Sequence, residues 1–322
     1  MPASLSARRS ARPLAACSLI VALLVSTLGW WPATALAQDI FVVNQNAGSI
    51  GEYTTAGATV NATLISGFSD PSALASSGSD LFVTDVSAGT IGEYTTSGAT
   101  INATLVSGLN QPYGIALSGS DLFVTDASDG TIGEYTTAGA TINATLVSGL
   151  NQPYGIALSG SDIFVANFGN NTIGEYTTSG AEVNSTLVSG LSFPYALAVS
   201  GSDLFVTNIG SGTIGEYTTS GAAINATLVS GFDDPQGIAV SGSDLFVTDN
   251  SDNLIGEYTT SGVTINATLV SGLSGPVGIV VPVPEPAAWA VLAGLLAFGA
   301  AARVSACQRR KVGLAVSARN DG

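Results

Sequence analysis

Gly-Glu-Tyr begins at Gly51, Gly92, Gly133, Gly174, Gly215 and Gly256, and the interval is 41 residues every time. Pro71, Pro112, Pro153, Pro194, Pro235 and Pro276 recur on the same period. A chain built from six copies in unbroken register is restricted to stacked arrays or closed rings of one supersecondary unit. In a typical copy the residues 112–118, 121–126, 131–137 and 141–147 form four β-rich runs separated by Gly, Ser, Asn and Asp. Four strands of ~6 residues with connections of ~4 use up about 40 residues. No helix fits in what is left, which excludes the helical and leucine-rich repeat arrays. The remaining unit is a four-stranded antiparallel sheet, the blade of a propeller.

The patterning grades along each copy. Gly-Ile-Ala-Leu and Leu-Phe-Val are apolar on both faces, as strands sandwiched between neighbouring blades must be, whereas Ile142, Ala144 and Leu146 alternate with polar residues as on an outer strand with one wetter face. From Asp39 the chain enters at the second run of a copy and ends with a lone first run, Pro276 to Val281. The expected fold is therefore all-β: a six-bladed β-propeller over residues 38–282, closed by N- and C-terminal strands sharing one blade. An open solenoid would need polar caps, and the terminal copies have none.

Charge is distributed unevenly. The eight basic residues lie before Pro13 or after Ala302, and between Gln38 and Pro284 there are 21 acids, a formal charge of −21 with no Lys or Arg. Such a chain has no internal side-chain salt bridges and repels nucleic acid. Calcium is the small cation it would attract, and no loop carries the spacing of an EF-hand. There is no histidine, so Ser-His and Cys-His nucleophile pairs and His-ligated metals are excluded. Cys17 and Cys307 flank the repeats, which contain no cysteine.

The ends read as targeting segments. Arg8, Arg9 and Arg12 precede an apolar stretch, and Ala35-Leu36-Ala37 has the small-x-small form of a signal-peptidase site, so residues 1–37 are expected to be a signal peptide cut between Ala37 and Gln38. Residues 287–302 are apolar or Gly throughout; as a helix they reach roughly 24 Å, marginal for the ~30 Å hydrocarbon core. Arg309, Arg310 and Lys311 follow and would stay cytoplasmic, with 312–322 as a short tail. Upstream stand Val283, Pro284, Glu285 and Pro286. Pro-Glu-Pro, apolar helix and basic cluster in this order resemble the PEP-CTERM sorting signal, here over 283–311. The resemblance implies an exosortase-type processing enzyme as partner, anchorage in the inner membrane through the 287–302 helix before processing, and then delivery to the cell surface or outside in a Gram-negative bacterium that makes exopolysaccharide. The eleven residues after Lys311 depart from that family's pattern. The repeats themselves, Pro-x-Gly-Ile-Ala followed by Asp-Leu-Phe-Val-Thr-Asp, are similar to NHL-type repeats.

In a propeller the loop between the second and third strands and the loop between blades emerge on one face. The first set carries Asp85, Asp126, Asp129, Asn167, Asn170, Asn208, Asp249 and Asp252; the second carries Tyr113, Tyr154 and Tyr195. Acids and amides bridge sugar hydroxyls or ligate calcium, and tyrosine rings offer planes for pyranose stacking. The same polar residues are also what tight turns require. Six equivalent glutamates, Glu52, Glu93, Glu134, Glu175, Glu216 and Glu257, read as a structural ring, since an active centre needs a few unlike groups. Asn-x-Thr recurs at Asn61, Asn102, Asn143, Asn184, Asn225 and Asn266, where an outer polar stripe is the plainer reading. The fourth copy departs most from the others, with Phe168 and Phe193, and is the first place to look for a site. Six-bladed lactonases and lyases with a channel metal resemble this architecture, but those that rely on histidine have no match here. The expected function is an exported, surface-anchored or released, non-catalytic binding or matrix module, for which the PEP-CTERM resemblance implies contact with extracellular polysaccharide. The alternatives are a calcium-dependent, self-associating surface protein and a lactonase- or lyase-like enzyme.

Overall fold

The computed structural model describes residues 38–282, so the expected signal peptide, sorting signal, apolar helix and tail lie outside the described residues. The first three strands are β1 (Asp39–Asn44), β2 (Ser49–Thr54) and β3 (Thr59–Ser66). The second blade contains β4 (Pro71–Ser77), β5 (Asp80–Asp85), β6 (Thr90–Thr95) and β7 (Thr100–Ser107), and the third β8 (Pro112–Ser118), β9 (Asp121–Asp126), β10 (Thr131–Thr136) and β11 (Thr141–Ser148). The fourth comprises β12 (Pro153–Ser159), β13 (Asp162–Asn167), β14 (Thr172–Thr177) and β15 (Glu182–Ser189), the fifth β16 (Pro194–Ser200), β17 (Asp203–Asn208), β18 (Thr213–Thr218) and β19 (Ala223–Ser230). The sixth contains β20 (Pro235–Ser241), β21 (Asp244–Asp249), β22 (Leu254–Thr259) and β23 (Thr264–Ser271), and β24 (Pro276–Val280) completes the first.

Each blade is an antiparallel four-stranded sheet, and the first has the order β24-β1-β2-β3. Phe41 pairs with Val280 and Val42 with Ile279, so the last strand supplies the inner strand of the blade that the first strand begins. Inner strands touch inner strands all the way round, from β24 through β4, β8, β12, β16 and β20 back to β24. The ring is closed.

The apolar runs form strands because both of their faces find a neighbouring blade. Leu122 and Val124 of β9 enter the cluster between the second and third blades, while Phe123 enters the one between the third and fourth. Six such clusters exist, one per junction, each centred on one member of the series Phe41, Phe82, Phe123, Phe164, Phe205 and Phe246. A two-residue turn joins β8 to β9 with Gly119 at φ 60°, a left-handed conformation that costs glycine nothing. The repeated Gly-Glu-Tyr also has a packing cause. A Cβ on Gly133 would collide with the ring of Tyr135, two residues on and on the same face, and the other five copies repeat this. The motif is a tyrosine laid over a glycine.

The outer strands correct the sequence expectation. Ile142 and Ala144 were expected to share a buried face with Leu146, yet Ile142 is 50 % exposed, Ala144 is exposed too, and Val147 is the buried residue. Between the pairs Ile132–Val147 and Glu134–Asn143 the outer strand spends two residues more than its partner. This bulge interrupts the regular pairing, so most of the strand faces solvent on both sides, and Val147, which stays opposite the buried Ile132, is the residue that is covered.

Candidate functional site

The face that carries the β9–β10 type of turn and the blade-to-blade turns is where the sequence placed a ligand surface. Most of its acids and amides are engaged inward. Asp85 is 6 % exposed and accepts from the backbone N–H groups of Ser69 at 2.7 Å, Asp70 at 3.1 Å and Ala88 at 3.0 Å. Asp126 accepts from Asn110 N–H at 2.6 Å and from Asp129 N–H at 3.3 Å. Asp249 does the same with Asp233, Asp234 and Asp252, and Asn208 with Ser192. These side chains latch each interblade turn onto the strand below it, because a buried N–H must find an acceptor. Asn167 is the exception: its amide nitrogen donates to Thr172 at 3.4 Å, while its Oδ1 is buried without a partner. Asp129, Asn170 and Asp252 are exposed on the rim, where Asp129 accepts from the Asn110 amide and Asn170 from the Thr172 hydroxyl.

The tyrosines come together. Tyr113, Tyr154 and Tyr195 occupy the second position of three consecutive inner strands at the channel mouth. Tyr113 and Tyr154 stack at 4.0 Å with planes 10° apart, Tyr154 stacks on Phe168 at 4.5 Å, and Tyr195 meets Tyr154 edge-on at 5.3 Å. Phe193, 48 % exposed, extends the stack outward from Phe168 at 5.2 Å. The equivalent positions in the other three blades hold Ser72, Gln236 and Val277, so half the mouth is aromatic and half is small or polar. Ser72 of the opposite blade is the polar side chain whose influence favours the ionised form of the Tyr195 hydroxyl, against the effect of burial. Burial and the neighbouring phenols push the Tyr113 and Tyr195 hydroxyls far up, with Asp70 and Asp234 adding their charge, and both stay neutral donors.

On the polar half, Gln236 donates to Asp234 Oδ2 at 2.9 Å, leaving Asp234 Oδ1 and Gln236 Oε1 enclosed with no hydrogen-bond partner. Burial raises the Asp234 carboxyl above the usual range, and Asp249 and Asp233 raise it further. Ser72 and Gln236 escaped the sequence reading. Both lie in the 41-residue column of Tyr113, so reading that column across all six copies finds them. Backbone strain gathers here as well. Gln111, Gln152 and Phe193, which precede Pro112, Pro153 and Pro194 in the three tyrosine-bearing blades, have φ of 68°, 48° and 52°. Side chains in this left-handed region are costly and concentrate at working sites. At the opposite end of the channel a cavity of about 450 Å³ is walled by Leu74, Ile115, Leu117 and Val280, with no charged residue in its lining.

A channel metal of the kind the lactonase- and lyase-like architecture implies does not fit these residues. Among the described residues no three of His, Cys, Asp or Glu converge to hold an ion. Among them also, no helix is long and apolar enough to cross a membrane.

Away from the mouth, each of the six glutamates of Gly-Glu-Tyr has its carboxyl raised, first by partial burial and then by the aspartate beside it: Asp39, Asp80, Asp121, Asp162, Asp203 or Asp244. The folded state thus holds protons that the unfolded chain, titrating near 4.5, has already lost. Stability from these groups is fully present below about pH 4.5 and is lost as pH rises through their raised values. With no cation to compensate, the melting temperature is expected to be higher at pH 5 than at pH 7.5, and added salt is expected to raise it more at pH 7.5. Thermal unfolding followed by circular dichroism checks this; a protein more stable at pH 7.5 would refute the raised carboxyls, and a salt effect equal at both pH values would refute the part assigned to like charge.

The family described as Virginiamycin B lyase family matches residues 33–244. A search of curated proteins finds no match. Among solved structures, the propeller of a nidogen/laminin complex is 18 % identical, with a TM-score of 0.64 over 76 % of this chain and 97 % of that one. A streptogramin B lyase is 23 % identical, with a TM-score of 0.59 over 76 % and 83 %. A virginiamycin B lyase from Staphylococcus aureus, solved with quinupristin as a catalytically inactive histidine-to-alanine variant, is 22 % identical, with a TM-score of 0.54 over 73 % and 86 %. These likenesses concern the fold, and the match over 33–244 adds the lineage: the chain belongs to the Virginiamycin B lyase family.

Proposed function

We propose that this propeller is exported and works as a non-catalytic binding module, with the aromatic half of the channel mouth as its ligand surface and extracellular polysaccharide as its ligand class. The observation that carries the reading is the run of rings from Tyr113 through Tyr154 and Phe168 to the exposed Phe193. The exposed Phe193 ring at the end of this run, beside amides such as Gln111, Gln152 and Asn151, suits a pyranose ring, which is apolar on its faces and polar at its edge. The −21 charge of the repeats favours a neutral or amine-bearing glycan over one rich in uronate. Export and sorting rest on the signal-peptide and PEP-CTERM-like segments, which make an exosortase-type enzyme the processing partner and the cell surface or medium the destination.

The family match favours a second reading, a lyase. Against it stands the absence of histidine from all 322 residues, when a related lyase loses activity on exchange of one histidine. A calcium-dependent, self-associating role has less support, since no acid cluster converges on an ion among the described residues.

Retention on immobilised neutral polysaccharides (a glucan, a xylan and a mannan), with and without EDTA, tests the proposal. The wild type is expected to be retained on at least one of them in EDTA. Phe193→Gly is expected to weaken retention at least tenfold while raising stability by about 1 kcal/mol, because glycine relieves the left-handed backbone at φ 52°. No retention on any glycan, or turnover of a cyclic depsipeptide or lactone by the histidine-free domain, would refute the binding role.

A further inference from the structure

The outer strands carry a feature that neither the ring closure nor the channel mouth uses. Asn-x-Thr stands at 61–63, 102–104, 143–145, 184–186, 225–227 and 266–268, with Ala between in five copies and Ser in one. Every one of these Asn and Thr residues is exposed. In each blade the Asn Oδ1 accepts the backbone N–H of the Thr at 3.0–3.1 Å, a local turn that builds the outer bulge. This turn accounts for the asparagine. It asks nothing of the third side chain, since any residue but proline supplies the N–H. Threonine is nonetheless present in all six copies, although the first residue of the strand varies among Thr, Glu and Ala and the second between Val and Ile.

We infer that the six Asn-x-Thr segments are glycan acceptor sites, modified at the asparagine Nδ2. Three observations meet in this assignment. The sequence pattern is the acceptor pattern, with no proline in the middle. The geometry ties Oδ1 back to the chain and leaves Nδ2 at an exposed position, and the N–H held against Oδ1 stabilises negative charge on the amide, which eases loss of an Nδ2 proton. The location also calls for a cover: the outer strands leave their outer edge unpaired and have no Lys or Pro among their residues. Val60, Ile101, Ile142, Val183, Ile224 and Ile265 stand 50–54 % exposed beside the acceptors. Bare apolar edges invite strand pairing between molecules, and a bulky polar group on each blade blocks it.

The step is a group transfer from a sugar activated on a phosphate or pyrophosphate. The C1–Nδ2 bond forms as the bond between C1 and the phosphate oxygen breaks, and the Nδ2 proton ends on the released phosphate. Nothing is oxidised or reduced. The acceptors lie on the outermost strand of each blade, three strands from the channel, so six glycans leave the aromatic mouth open.

Intact-mass measurement of the chain purified from its own cells tests the assignment. The expected spectrum is that of the polypeptide plus up to six equal sugar increments, placed on the asparagines by fragmentation of the repeat peptides. Thr145→Ala keeps the turn, which uses only backbone N–H, so it is expected to lose one increment with an unchanged melting temperature, whereas Thr145→Ser keeps the increment. A folded wild-type chain whose mass equals that of its polypeptide would overturn the assignment, as would an increment that survives on Asn143 in Thr145→Ala.

Discussion

Removal of residues 276–282 is expected to abolish cooperative folding of the whole ring, not of one blade. β24 and the residue that follows it give Val277, Ile279 and Val281, at 0 %, 8 % and 7 % exposure, to the clusters on either side of the first blade, and Val280 packs against one of them. Four such side chains contribute about 6–12 kcal/mol at ~1.5–3 kcal/mol each, which is as large as the ~5–15 kcal/mol that holds a typical domain together. Polar ties go with them. Thr248 Oγ1 donates to the Val277 carbonyl at 2.8 Å, and the Gln38 amide to the Pro282 carbonyl at 2.9 Å. Without β24, the inner edge of β1 is an unpaired strand beside Phe41 and Val42. The truncated chain is expected to melt without a cooperative transition and to bind a hydrophobic dye that the full chain excludes. Val277→Asp is expected to do much of the same by one substitution, since it leaves a carboxylate at a fully buried position with no cation anywhere in the repeats. A truncated chain that keeps a sharp melt near that of the full chain would mean that closure contributes little.

Closure was legible in the sequence because it depends on phase. A repeat that begins at its second strand and ends with a spare first one has a single economical arrangement, and the strand bounds followed from where Gly, Asn and Asp interrupt the apolar runs. The Asp126 series was harder to read. Aspartate at a strand end serves a ligand or a turn equally well, and its fate was decided by the neighbouring interblade turn, whose N–H groups arrive from 16 residues away. The burial of Val147 in place of Ile142 could not be read from alternation, because the pairing that covers Val147 with Ile132 is interrupted by the bulge at the Asn143 turn, beyond which the strand stands exposed. At the mouth the three tyrosines were visible singly. That they form one aromatic cluster, two rings stacked and the third edge-on, opposite Ser72 and Gln236 follows from comparing one column of the repeat around a ring, a three-dimensional statement that periodicity yields only once closure is granted.

The same column logic isolates the weakest junction. Thr84, Thr125, Thr207 and Thr248, all fully buried, donate their hydroxyls to a carbonyl of the next blade, at 3.0, 2.6, 2.8 and 2.8 Å. The fourth blade has Ala166 in this position and the first has Val43, so two opposite junctions, between the fourth and fifth blades and between the first and second, have no such bond. At the former, apolar packing must do the work alone, around Phe164 with Ile173, Leu204 and Val206. Phe164→Ala is therefore expected to cost about 3–5 kcal/mol, the usual price of an aromatic-sized cavity, and at ~2–4 °C per kcal/mol to lower the melting temperature by roughly 10 °C. Ala166→Thr is expected to act in the opposite direction by about 0.5–1.5 kcal/mol. Its hydroxyl would meet the Tyr195 carbonyl, as Thr125 meets that of Tyr154, in a backbone setting that four other blades already fill with threonine. Because the added bond lies in the junction that Phe164 fills, combining the two substitutions is expected to recover part of the loss. Denaturant unfolding of the two single variants and the double variant measures the coupling. If Ala166→Thr destabilises the chain, the two threonine-free junctions are packed too closely to accept the hydroxyl, and the ring's symmetry is broken there by space and not by a missing bond.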